Sequence, residues 1–156
     1  MSVVLIDTSV LCEVLQIPGK CQNPQGIYND LERFIKSHAT LLLPVATILE
    51  TGRHIAQLQD GQVRRQIATN FITVVQQALD GSAPWTVSQP LLDPIDIKHY
   101  LADFPDYAMR GISLGDLTII KEFDRQCNLH HDREILIWTL DGHMAGHHQD
   151  PPHWAI

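Results

Sequence analysis

Four short apolar runs punctuate the chain: "VVLI" (3–6), "TLLL" (40–43), "WTVS" (85–88) and "ILIWT" (135–139). The first, second and fourth lack the polar alternation of a half-exposed strand, which predicts strands covered on both faces in a parallel sheet. The segments between them carry helical spacing instead. "GIYNDLERFIKSH" (26–38) sets Ile27, Leu31, Phe34 and Ile35 on one stripe. "QVRRQIATNFITVVQQAL" (62–79) groups Val63, Ile67, Phe71, Val74 and Val75, then stops at Asp80-Gly81. "PVATILETGRHIAQL" (44–58) opens with Pro44, a residue suited to a first helical turn. "DIKHYLADFPDYAMRG" (96–111) contains Pro105, where a kink or break is expected. "SLGDLTIIKEFDRQC" (113–127) has the cleanest helical pattern. Strands interleaved with helices predict an α/β fold, a single three-layer α/β/α domain over residues 1–156 with a mostly parallel central sheet. The turn-rich stretches at 17–26, 80–84 and 147–153 are too short for interdomain linkers, and no internal repeat is visible.

Composition narrows the class without naming a function. Of 156 residues, 44% are hydrophobic and 19% charged, a globular profile rather than a disordered one. The longest mainly apolar stretch, "LLLPVATIL", stops at Glu50, far short of the ~20 residues a spanning helix needs. No membrane association is expected. No basic region precedes the first apolar run, which speaks against a secretory signal. Cys12, Cys21 and Cys127 are odd in number and scattered, which reads as free thiols in a reducing cytoplasm. The net charge of −7, from 18 acidic and 11 basic residues, disfavours a nucleic-acid binder built on a basic surface. It is compatible with nucleic acid if cations bridge carboxylates to phosphate, and it suits a cationic protein partner.

The candidate chemistry lies in the acids. In an open parallel sheet, ligands gather at the carboxyl ends of the strands. Asp7 follows the first run directly, and Asp141 follows the fourth with Leu140 between. Asp7 has a structural reading as the N-cap of "SVLCEVL", although Ser9 could cap it equally well. Asp141-Gly142 has one as a turn, while "HMAGHH" after it does not look like a returning strand. "SLGD" is a capping box with Ser113 as N-cap, yet Asp116 heads an inward stripe with Ile120, Phe123 and Cys127. A buried carboxylate there needs a partner, and a metal ion would serve. Glu50 shares a helical face with Arg53 and His54; locally this reads as a solvated face. In the functional version Glu50 is a ligand and Arg53 or His54 contacts phosphate. Crowded carboxylates repel, and hard divalent cations such as Mg²⁺ or Mn²⁺ relieve that repulsion. The matching chemistry is metal-assisted phosphoryl transfer.

"LIDTSVL", "PVATILETGRH", "GISLGDLTIIKEF" and "ILIWTLDGHM" occur in the order and spacing of a PIN domain. The chain resembles most the single-domain toxins of the VapC type, over almost its whole length. By that resemblance Asp7, Glu50, Asp116 and Asp141 are the catalytic quartet, with Asp7, Asp116 and Asp141 as metal ligands. Ser9 and Thr139 fall where small hydroxyl residues support the quartet, and with Arg53 and His54 they form the candidate substrate-binding set. The resemblance implies Mg²⁺- or Mn²⁺-dependent RNA cleavage, a homodimer, and an antitoxin whose tail covers the site with a basic side chain. Two departures stand out. Gly115 precedes Asp116 where a further acid is common, and "DGHMAGHH" stands where an aromatic usually follows. They are compatible with one tight metal, with a second that arrives with substrate, or with an inactive PIN-type scaffold or RNA-binding module.

Rival chemistries find less support. "HMAGH" sets His143 and His147 four apart but lacks the Glu of a zinc-protease motif, and Gly146 weakens any helix there. A dehalogenase-type phosphatase needs D-x-D, whereas Thr8-Ser9 follows Asp7. No P-loop occurs, and no His or Asn pattern supports a cysteine nucleophile.

Overall fold

Val3–Ile6 forms strand β1, every residue of it buried. Successive side chains of a strand point to opposite faces, and here both faces are covered. Val4 and Ile6 pack with Val10, Leu11, Ile55 and Trp138 in one core cluster. Val3 and Leu5 pack with Ile119, Ile120, Phe123 and Ile137 in the other. The unbroken apolar run is thus the signature of a middle layer.

The computed structural model describes residues 1–88 and 93–153. After β1 come α1 (Thr8–Val14), α2 (Pro24–Lys36), β2 (Thr40–Pro44), α3 (Val45–Ala56), α4 (Gly61–Leu79) and β3 (Trp85–Ser88). They are followed by α5 (Pro94–Met109), α6 (Leu114–Leu129), β4 (Ile135–Trp138) and β5 (His148–Gln149). The five strands form one sheet in the order β3-β2-β1-β4-β5. All neighbours are parallel except β4 and β5. Residues of α1, α2, α3 and α4 join the first core cluster, and α6 carries much of the second. The α/β class and the three-layer arrangement agree with the pattern of the chain.

The chain leaves β1 toward β2 and β3, then returns past β1 to β4. The strand order therefore reverses between β1 and β4, whose carboxyl ends frame a crevice. Asp7 closes β1 on that side, its N–H donating to the Trp138 carbonyl at 3.0 Å.

Several local expectations change. Helices α2 and α5 start two residues earlier than their apolar stripes, at Pro24 and Pro94. In both an Asx side chain caps the helix and proline takes the first turn: Asn23 accepts from the Gly26 N–H, and Asp93 from the Ile95 N–H. Pro44 ends β2 in extended backbone rather than entering the helix. Pro105 does not break α5. It lies on an exposed face, and Leu101, whose carbonyl it leaves without a donor, is 51% exposed, so water can take that bond. Ile35 and Val63 turn outward despite their place on the apolar stripes. Finally, "HHQD" contains a returning strand after all: His148 pairs with Leu136 and Gln149 with Ile135, antiparallel. A two-residue polar strand has no periodicity to reveal it.

The loop from α1 to α2 is held by a buried acid. Glu13 is 2% exposed, and its carboxylate accepts the backbone N–H of Gln22 at 2.8 Å and of Asn23 at 3.1 Å. Burial by itself pushes this carboxyl up, but the hydrogen bonds from Gln22, Cys21 and Asn23 outweigh it and hold Glu13 below its ordinary value of 4.5. A depressed carboxyl contributes stability above its unfolded value and loses it as pH falls through the folded one. Glu13→Ala is expected to cost about 1–3 kcal/mol at neutral pH, because two N–H groups lose a charged acceptor. Urea unfolding of the two proteins at pH 7 and pH 3 checks this, and the difference should shrink at the lower pH.

Candidate functional site

Asp7 occupies the N-cap position of α1 in extended backbone (φ −82°, ψ 162°), but its side chain makes no capping bond. Its Oδ2 instead accepts from Ser9 Oγ at 2.9 Å and from Thr139 Oγ1 at 2.7 Å. Ser9 therefore does not cap the helix, contrary to the local expectation. Each hydroxyl spends its one proton on Asp7 and uses its lone pairs elsewhere. Ser9 Oγ accepts from the Leu140 N–H and Thr139 Oγ1 from the Asp141 N–H, both at 2.9 Å. Both hydroxyls thus tie the exit of β1 to the exit of β4. Asp7 is 3% exposed, and no described hydrogen bond falls on its Oδ1. One carboxylate oxygen is anchored, and among the described residues the other has no hydrogen-bond partner.

Asp141 follows β4 in an exposed turn and accepts from the His143 N–H at 2.9 Å. Asp116 stands in the first turn of α6, where its own N–H donates to the capping Ser113 Oγ at 3.1 Å. The capping box and the inward position are both real. Burial pushes the Asp116 carboxyl up, and the charges of Asp7 and Glu50 push the same way against hydrogen bonds from Ser113. Glu50 is half-buried on α3, its Oε1 3.8 Å from His54 Nε2. It faces the start of α6: a Cβ built on Gly115 would lie 3.5 Å from Glu50 Oε2. Glu50 is therefore not on a solvated face, because the helix turns that face to α6.

These acids share one cavity. A space of about 210 Å³ is lined by Asp7, Thr8, Ser9, Cys12, Lys20, Glu50, His54, Asp116 and Asp141. His54 reaches it. Arg53 instead lines a neighbouring, mainly apolar space of about 420 Å³ with Leu49, Leu114 and Thr118, which also touches Glu50. Thr139 acts one step back, through Asp7. Lys20 and Cys12 carried no signal in the chain: each is an isolated residue in no motif, and only the fold brings them here.

The donor set fits a hard cation. Burial pushes the Cys12 thiol up to about 11 against the pull of Lys20, so it stays protonated and is no soft ligand. Oxygen donors remain, as Mg²⁺ and Mn²⁺ prefer. The cluster is spread rather than tight: among the described residues, no three of the cavity's acidic, His or Cys groups bring ligand atoms within 4.8 Å of one another. Like charges hold one another apart. That spacing suits an ion taken by one or two carboxylates with water completing its shell, the usual habit of Mg²⁺.

Two other groupings lie outside the cavity. Glu134, His148 and Asp150 do bring ligand atoms within 4.8 Å. They sit at the opposite end of β4, where His148 lies 3.0 Å from Glu134 and 3.6 Å from Asp150, which fastens the short strand β5. His143 stands in a turn and His147 directly after it, neither on a helix. His147 Nδ1 lies 3.0 Å from the Met144 carbonyl and its ring packs edge-on to Phe123, so the pair offers no zinc face.

Among the described residues no helix is long and apolar enough to cross a membrane. Comparison of the chain with protein-family models, curated proteins and solved structures found no match.

Proposed function

We propose that the protein is a Mg²⁺- or Mn²⁺-dependent endoribonuclease of the PIN type, acting as the toxin of a toxin–antitoxin pair. The observation that carries this reading is the meeting of Asp7, Glu50, Asp116 and Asp141 in one cavity where the strand order reverses. The four come from the end of β1, from α3, from the first turn of α6 and from the turn after β4. When bound, a divalent cation supplies Lewis-acid chemistry at phosphorus and counter-charge for the leaving oxygen.

The chain's own residues do the rest. Asp7, held by Ser9 and Thr139, presents one fixed oxygen as a ligand, and Asp116 and Asp141 are the further ligands, reached directly or through water that completes the shell. Glu50 is placed to accept a proton from an attacking water. His54 lies beside it, held toward its neutral form by burial and by the nearby Lys20 charge, and can donate a hydrogen bond to phosphate. The net charge of −7 supports an antitoxin with a basic tail. A homodimer and a cytoplasmic site of action belong to the same reading.

The direct test uses fluorescently labelled single-stranded RNA. Cleavage is expected with Mn²⁺ or Mg²⁺, none with excess EDTA, and recovery when metal is restored. If metal binds but no RNA or DNA strand is cut, a non-catalytic PIN-type module becomes the better reading.

A further inference from the structure

Among the described residues, Lys20 is the one Lys or Arg side chain lining a cavity that four carboxylates share. It lies on the loop between α1 and α2, which is pinned on both sides of it. Three residues before, Ile17 is wholly buried and its carbonyl accepts the Lys20 N–H at 2.9 Å. Two and three residues after, Gln22 and Asn23 donate to the buried Glu13 carboxylate. Just before Lys20, Gly19 adopts φ +77°, a backbone conformation that favours glycine. The base of the side chain is therefore held in place over the cavity.

The ammonium is not spent on a neighbour. Among the described residues it forms no ion pair within 4.0 Å, whereas Lys36 and Lys121 are paired. Its charge nevertheless reaches the cavity wall, opposing the burial-driven rise of the Cys12 thiol and adding to the burial that lowers His54. An exposed, unpaired cation lining an acidic cavity is suited to a group that arrives from solvent. An incoming phosphodiester is such a group, and Lys20 is, among the described residues, the cavity's one Lys or Arg to set against four carboxylates.

We infer that Lys20 binds a backbone phosphate of the RNA strand as it enters the acidic cavity, setting substrate affinity. This inference rests on the metal-dependent ribonuclease reading. Lysine serves there as a compact point charge on phosphate, and it offsets the repulsion between strand and acids.

The experiment compares wild type, Lys20→Met, Lys20→Arg and Asp7→Asn. Mn²⁺ binding without RNA is read by calorimetry; KM and kcat on a labelled single-stranded RNA are read at several salt concentrations. Wild type should bind Mn²⁺ and Asp7→Asn should not. Lys20→Met should bind Mn²⁺ at least as tightly as wild type, because a positive neighbour has gone. Its KM should rise about tenfold with kcat little changed, and its salt dependence should fall by a slope of about 0.7, one phosphate contact on a single strand. Lys20→Arg should recover most of the KM. If Lys20→Met keeps the wild-type KM and salt slope, the inference is overturned while the nuclease reading stands. If its melting temperature drops while KM holds, Lys20 is a structural residue and the inference is equally overturned. If wild type neither binds Mn²⁺ nor cuts RNA, both readings fall together.

Discussion

Replacing Asp7 with Asn is expected to reduce RNA cleavage by at least about 10²–10³-fold, the usual effect of removing one preorganised electrostatic group, while leaving the fold intact. The substitution is nearly isosteric. The carbonyl oxygen of the new amide can still accept from Ser9 and Thr139, so the tie between the ends of β1 and β4 survives. What changes is the atom turned away from that tie: an amide nitrogen, which donates hydrogen bonds and does not ligate a cation, replaces Oδ1. Calorimetry should find no Mn²⁺ binding to this variant, and circular dichroism should match wild type. Full cleavage by Asp7→Asn would remove Asp7 from the site. A collapse of the fold would instead assign the carboxylate's charge to structure.

Asp116→Asn should show two effects of opposite sign. Burial pushes this carboxyl up, as do the charges of Asp7 and Glu50, so the folded state disfavours its charged form. With a raised carboxyl, stability is lost as pH rises through the unfolded and then the folded value. The metal-free variant should therefore melt higher than metal-free wild type at pH 7, and the gap should close on acidification toward pH 4. With Mn²⁺ the order reverses. An ion present at 100 times its Kd stabilises wild type by about 2.7 kcal/mol, roughly 5–11 °C in melting temperature for a chain of this size. The variant should gain little of this. Thermal melts at both pH values, with and without Mn²⁺, check both signs. A metal-free Asp116→Asn that melts lower than wild type would make the capping role of residue 116 dominant over its place in the cavity.

Much of the architecture was legible because it depends on near-neighbour patterns. An apolar run without alternation at 3–6 reads as a strand with two covered faces in an α/β chain, and both core clusters use it. The helix starts at Asn23-Pro24 and Asp93-Pro94 were also written in the chain as caps followed by proline, although the apolar stripes alone place them two residues late. Strand β5 was not legible. Two polar residues gain strand geometry only from the free edge of β4.

The candidate site divides along the same line. Asp7 and Asp141 could be placed at one sheet edge from the runs that precede them, and Asp116 from its inward helical stripe. Glu50 could be included only through the motif resemblance, since locally it resembles a solvated residue beside Arg53 and His54. Its burial depends on how α3 packs against α6. The roles of Ser9 and Thr139 illustrate the difference most clearly. They lie 130 positions apart, yet both donate to the same carboxylate oxygen, because parallel pairing brings Ile6 level with Trp138.

By itself, then, the order of residues determined the helices and the four parallel strands but not β5, that the sheet is mostly parallel, and which acids end its strands. Those are consequences of periodicity, turn chemistry and the carboxyl-edge rule, each readable within a few residues. Only the tertiary structure decided that Glu50 joins the acids, that Arg53 turns to the neighbouring space, and that Lys20 stands among them. Side chains distant in sequence meet through strand register and helix packing, and those are set by the burial of the whole core.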